Sequence, residues 1–180
     1  MTKDERNALR RIIKKHKIYQ RYLDLFEKNP AFSINFDELH KEIETMHVTR
    51  RTRTLRRKRN TQFTENVVDA MIDDQSCRSR CTEILGQCVK ITNAMEENLG
   101  NVRDFLLTEF ANHLKHIGTQ AERKGFVENV MKRFYEFFNQ VQTLEKHARL
   151  IIEDVDKAGY TYRNLVEAIK ILSRPEQVSL

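Results

Sequence analysis

The sequence predicts an all-α protein. The expected form is an elongated helical bundle built on an antiparallel coiled-coil hairpin, with arms at about 64–117 and 119–173. The N-terminal helices pack on that hairpin or on a second chain. Three observations carry this prediction. A heptad repeat runs without a miss from Val127 to Leu172. Its first positions are Val127, Phe134, Val141, Ala148, Val155, Tyr162 and Ile169, and its fourth positions are Val130, Phe137, Leu144, Ile151, Ala158, Leu165 and Leu172. Such a seam packs against another helix. The chain holds only 5 Gly and 2 Pro with 32% charged residues, a helix-rich composition with little punctuation. Finally, Gly118 and a Thr119/Glu122 capping pair stop one helix and start the next with almost no linker, as an αα-hairpin requires.

The first helix is expected over 3–28. Thr2 and Glu5 read as a capping box, and the stripe is Leu9, Ile12, His16, Tyr19, Leu23 and Phe26. Asn29-Pro30 ends it, because proline disfavours a helical residue before it. A second helix starts near Asn35 with the short stripe Leu39, Ile43 and Met46. Its apolar pattern vanishes in the run TRRTRTLRRKRN, from Thr49 to Asn60. No Gly or Pro decides whether this helix merges with the third. The third stripe is Val67, Met71, Cys77, Cys81, Ile84, Cys88, Ile91, Met95, Leu99, Val102, Leu106, Phe110 and Leu114.

When the chain is folded at Gly118, facing residue numbers sum to about 236. Val102 then meets Phe134, Met95 meets Val141 and Cys81 meets Val155. Arms of this length extend about 80 Å at about 1.5 Å per residue. Asp74, opposite Tyr162, is the polar intrusion in the seam. Met131, Phe138, Ile152 and Val166 flank the heptad and widen it to a bundle face, so a third helix must cover it. The expected organisation is a basic amphipathic helix and loop (1–34), a second helix ending in the basic segment (35–63), the hairpin (64–173) and a tail (174–180).

Charge is uneven along the chain. Residues 1–60 hold seventeen Lys/Arg against eight Asp/Glu, net +9, and residues 61–180 hold fifteen against eighteen, net −3. The cations concentrate in Arg50, Arg51, Arg53, Arg56, Arg57, Lys58 and Arg59, seven in ten residues with no acid among them. Like charges at i, i+4 cost a helix a few tenths of a kcal/mol, about 0.2–0.5 per pair. A segment that keeps this cost suggests a partner. Arginine suits bidentate contact with carboxylate or phosphate. The candidates are an acidic protein tail, nucleic acid or an anionic lipid surface, with a nuclear import receptor as a further possibility. No aromatic lies in the run, which argues against base stacking on it.

Little else in the sequence points to chemistry. Glu44-Thr45-Met46-His47 matches one Glu-x-x-His element of di-iron bundles, but such sites need two elements and two further glutamates, and no second copy exists. It reads as a surface Glu and His. Cys77, Cys81 and Cys88 share one helix face and read as small core residues. Phosphate loops, zinc-protease motifs and nucleophile elbows are missing. No cofactor or metal is expected.

The function expected is a non-enzymatic helical scaffold or adaptor, with cytoskeletal, nuclear or assembly-bound partners. Val127, Val130, Phe134, Phe137, Val141, Leu144, Ile151 and Leu165 supply its helix packing, with a helical partner or a homodimer as the counterpart. Two alternatives stand beside it. One is a membrane-binding dimer similar in layout to BAR-type domains, because the basic first helix is amphipathic. The other is a nucleic-acid-associated helical protein, whose binding weakens steeply with salt. The odd cysteine count, the absence of an apolar run of about 18 residues and the polar start predict an intracellular protein, cytoplasmic or nuclear, neither secreted nor transmembrane. The ending Val178-Ser179-Leu180 also fits a PDZ-type groove.

Overall fold

The computed structural model describes residues 1–52 and 60–172, and the side chains of 1–50 and 65–171. Every regular element among them is helical: α1 (Lys3–Lys15), α2 (Lys17–Lys28), a 3-10 turn (Pro30–Phe32), α3 (Phe36–Thr52), α4 (Asn60–Glu109), α5 (Ala111–Leu114), α6 (Gln120–Val130) and α7 (Lys132–Leu172). Among the described residues no helix is long and apolar enough to cross a membrane. The continuity of the second and third helices, and the C-terminal tail, fall at positions outside the described residues.

The chain forms two compact units, Met1–Phe36 with Gln87–Thr143, and Asp37–Gly86 with Leu144–Leu180. Neither is continuous in sequence, because α4 and α7 each contribute to both.

In the first unit, α1 and α2 cover the heptad seam. Phe26 meets Phe134 and Phe137 at ring separations of 5.1 and 5.2 Å, and Phe137 also meets Phe32 and Phe36 at 5.7 and 5.3 Å. Each buried aromatic is worth about 1.5–3 kcal/mol relative to exposure. The cover that the flanking residues demanded therefore comes, in this unit, from the chain's own N-terminal helices. Met131, a flank residue, is completely buried.

The expected single helix over 3–28 is broken at His16, which is extended (φ −68°, ψ 132°). The imidazole explains the break. Its Nδ1 accepts from the Ile18 N–H at 3.3 Å, capping α2, and the ring packs on Phe105 and Phe110 at 5.3 and 5.6 Å. The break resets the helical phase, so Ile13 is buried while the expected Ile12 is 55% exposed. Thr2 and Glu5 form the expected capping box.

The third helix ends at Glu109, earlier than expected, and is followed by the single turn α5. Thr119 and Glu122 form the second capping box. Gly118 precedes it for a reason other than the one expected. Its φ is not positive. A Cβ at this position would collide with the Glu122 carboxylate, which folds back to accept from the Thr119 N–H at 3.0 Å. Arg123 closes the same turn by donating to the carbonyls of Ile117, Lys115 and Gly118.

A further irregularity separates α6 from α7. The Phe134 N–H donates to the Met131 carbonyl instead of the Val130 carbonyl that an α-helix would use. The Tyr19 hydroxyl donates to that Val130 oxygen at 2.9 Å. Tyr19 is 2% exposed, so the phenol satisfies an acceptor that water does not reach. Burial raises the phenol's pKa, and the Arg133 charge partly offsets this.

In the second unit, the buried stripe of α4 runs Val67, Ala70, Asp74, Cys77, Cys81 and Ile84. Ala70 and Asp74 take the place of the expected Met71, which is 40% exposed. On α7 the seam is buried through Ile151 and Val155, and then half-buried at Tyr162, Leu165 and Ile169. Across from it, α3 inserts Ile43, which is fully buried.

Candidate partner-binding surface

The basic segment follows from α3, whose apolar stripe ends at Met46 and gives way to cations. The structure describes the first of them, Arg50. Arg51 lies on the last turn of α3, and Arg53, Arg56, Arg57, Lys58 and Arg59 lie outside the described residues.

Arg50 is engaged within the chain. Its guanidinium donates through Nε to Asp74 Oδ1 at 2.9 Å and through Nη2 to Oδ2 at 3.3 Å, the bidentate geometry that arginine favours. Its Nη1 donates to Asp154 at 2.8 Å. The side chains of Arg50 and Asp74 are 8% and 6% exposed, whereas Asp154 is 49% exposed. Burial works against the charge on Arg50. The hydrogen bonds and charges of Asp74, and then of Asp154, outweigh it and raise the pKa. One residue of the run thus ties α3 to α4 and α7. The candidate binding set narrows to the six cations that follow.

Two more contacts hold α3 in this unit. Arg80 of α4 donates to both oxygens of Glu42 at 2.7 and 3.0 Å. It also donates to Glu83 at 3.0 Å, and together these bonds push the Arg80 pKa up. The Glu42 carboxylate is correspondingly held below its usual range by the bond from Arg80, against a smaller effect of burial. The second contact pairs His40 with His147, whose Nδ1 atoms are 3.3 Å apart.

The residues expected to pack helices are buried or half-buried. Val127, Val130, Phe134, Val141, Leu144 and Ile151 are each at most 5% exposed, and Phe137 and Leu165 are half-buried.

Cys77, Cys81 and Cys88 are buried thiols that form no disulfide. Cys81 has its pKa pushed up to about 12, first by burial and then by Cys77, so it is a poor nucleophile. Among the described residues no three His, Cys, Asp or Glu are placed to hold a metal ion. Glu44 is exposed, but His47 is half-buried with its Nδ1 inside the protein, unlike the surface pair expected.

An open groove of about 340 Å³ lies in the second unit, lined by Met71, Arg78, Asp156, Tyr160, Tyr162 and Arg163, among others. Arg78 donates to Asp156 at 2.8 Å, and Arg163 lies over the Tyr160 ring at 5.9 Å.

Neither the Arg50 clamp nor the histidine pair was visible in the sequence, because each joins residues at least 24 positions apart. The signal for the clamp was Asp74, an acid in an apolar stripe, since a buried carboxylate calls for a cation. No family model, curated protein or solved structure matches this chain.

Proposed function

We propose that this protein is a non-enzymatic helical scaffold or adaptor. It acts through coiled-coil contacts, and a basic segment after α3 binds an acidic partner. The observation that carries this reading is the run of six cations from Arg51 to Arg59 without an acid. It is attached to a helix held by the Arg50–Asp74 clamp. A rigid footing lowers the ordering cost of binding.

The scaffold in this reading is the antiparallel hairpin of α4 and α7. Two hydrogen bonds support it, one in each unit. Arg103 donates to the Tyr135 hydroxyl at 2.8 Å, and Arg78 donates to Asp156 at 2.8 Å. Their residue numbers sum to 238 and 234, either side of the sum of about 236 that a fold at Gly118 requires.

A second reading is a membrane surface as the acidic partner. Ile12, Ile18 and Leu25 are 55%, 44% and 56% exposed on α1 and α2, among Arg11, Lys14, Lys15, Lys17 and Arg21. Exposed apolar residues among cations suit a lipid headgroup boundary.

The test is a paired affinity purification of the full chain, with and without nuclease. Wild type is compared with a variant carrying Gln at Arg51, Arg53, Arg56, Arg57, Lys58 and Arg59. Arg50 stays, because it is structural. Loss of one partner class with the charges supports the proposal, and sensitivity to nuclease would assign that class to nucleic acid. An unchanged partner list refutes the role of the segment. Sedimentation with anionic vesicles tests the second reading, which requires both the six cations and the exposed residues of α1 and α2.

A further inference from the structure

Two histidines far apart in sequence meet in the second unit. His40 of α3 and His147 of α7 stack with centroids 5.5 Å apart and 27° between ring planes. Their Nδ1 atoms are 3.3 Å apart. This contact is satisfied when one Nδ1 carries a proton and the other accepts it. It is lost when both rings are imidazolium, because two N–H donors then point at each other and two positive charges are stacked in a half-buried site.

The surroundings offer little relief for a second charge. His47 lies two turns further along α3, with its Nδ1 buried and no hydrogen-bond partner for it among the described atoms. Glu44, exposed on α3, is the carboxylate that acts on His147. Glu42 of α3 and Glu83 of α4 are bound to Arg80, and Glu145 of α7 is bound to Arg149. Lys41 and Lys146 are exposed neighbours in sequence and would oppose further positive charge.

We propose that His40 and His147 form an acid-sensitive latch that holds α3 against α7 near neutral pH and releases it when both rings are protonated. The direction follows from His147, whose pKa is lowered from 6.5 by burial first, then by His40 and His47, with Glu44 opposing. A histidine with a depressed folded-state pKa is more readily protonated once released. Its contribution to holding α3 is therefore present above about 6.5 and is lost as pH falls below that value. The arginines in the other ties described above do not change charge in this window. Arg50 and Arg80 stay charged, and Glu42 is held below 4.5. The latch acts on the helix that carries the basic segment, and it stands whichever partner that segment meets.

The test is amide hydrogen exchange of the full chain at pH 7.5 and 5.5, corrected for the intrinsic pH dependence of exchange. Residues 37–50 report on α3, with α1 and α2 as reference in the same sample. Uptake of one proton gives up to about tenfold per pH unit below the released-state pKa. We expect α3 protection to fall about tenfold relative to α1 and α2. In His40→Gln/His147→Gln, where neutral amides can still hydrogen-bond, that fall should vanish. Equal behaviour of α3 and the reference helices in wild type, or the same fall in the double variant, overturns the proposal. If the double variant does not fold, the ring-proton titration of wild type decides. A His147 midpoint below 6.5 coupled to His40 supports the latch, and two independent titrations near 6.5 overturn it.

Discussion

Arg50→Met separates a structural arginine from a binding one. Methionine keeps most of the stem volume and removes the guanidinium, leaving Asp74 buried at 6% side-chain exposure without its bidentate donor. Removing one partner of a buried ion pair costs about 3–5 kcal/mol. The value here belongs at the low end, about 3 kcal/mol, because the site reaches solvent at Asp154. Asp154→Ala breaks only the half-exposed arm and should cost less than about 1 kcal/mol. Arg50→Met/Asp74→Leu removes both buried charges, and apolar replacement of a buried pair is often neutral. The double variant should therefore recover most of the loss. Urea unfolding followed by circular dichroism measures these three and the Asp74→Leu single variant, and the difference between the double variant and the sum of Arg50→Met and Asp74→Leu gives the coupling. Equal, small losses for Arg50→Met and Asp154→Ala, with no coupling to Asp74, would refute the reasoning. Arg50 would then belong with the six candidate binding cations.

Other outcomes follow from the same geometry. Tyr19→Phe leaves the Val130 carbonyl buried without its donor and should cost about 1–3 kcal/mol by urea unfolding, with little effect on the circular dichroism spectrum. Gly118→Ala should lower the unfolding midpoint in wild type but much less in a Glu122→Ala background, where the carboxylate that collides with the new Cβ is gone. The Glu42 pKa is depressed, so its pairing with Arg80 supports stability above 4.5 and loses that support as pH falls through the lower folded value. Glu42→Gln should flatten the acid limb of the stability–pH curve below 4.5, and an unchanged limb would count against the pair. Cys81 should resist iodoacetamide at pH 8 in the native protein and react once it is unfolded in urea.

Much of the helix packing was legible because it is local and periodic. The heptad from Val127 onward marks residues that are buried as far as Val155, apart from the half-buried Phe137, and both capping boxes form where Thr and Glu stand three apart. The break at His16 was not legible. A histidine carries no helix-stop signal by itself, and it stops this one because Phe105 and Phe110, some ninety residues away, hold its ring. That break moved the buried position from Ile12 to Ile13. Asp74 stood out as polar in an apolar stripe, but nothing local chose Arg50 among the 32 Lys and Arg residues. The histidine pair was invisible for the same reason. His40 and His147 lie on separate helices, and only the third dimension brings their Nδ1 atoms together.

The central claim is that the six cations after the clamp bind an acidic partner. The most direct measurement is the affinity of the full chain for a fluorescent polyglutamate peptide, a DNA duplex and anionic vesicles. Wild type is compared with the variant carrying Gln at Arg51, Arg53, Arg56, Arg57, Lys58 and Arg59. Wild type is expected to bind at least one of the three, and the variant to bind it at least about tenfold more weakly, because the six cations are the groups that meet the negative charge. Equal binding by both proteins, or no binding of any probe by wild type, would contradict it.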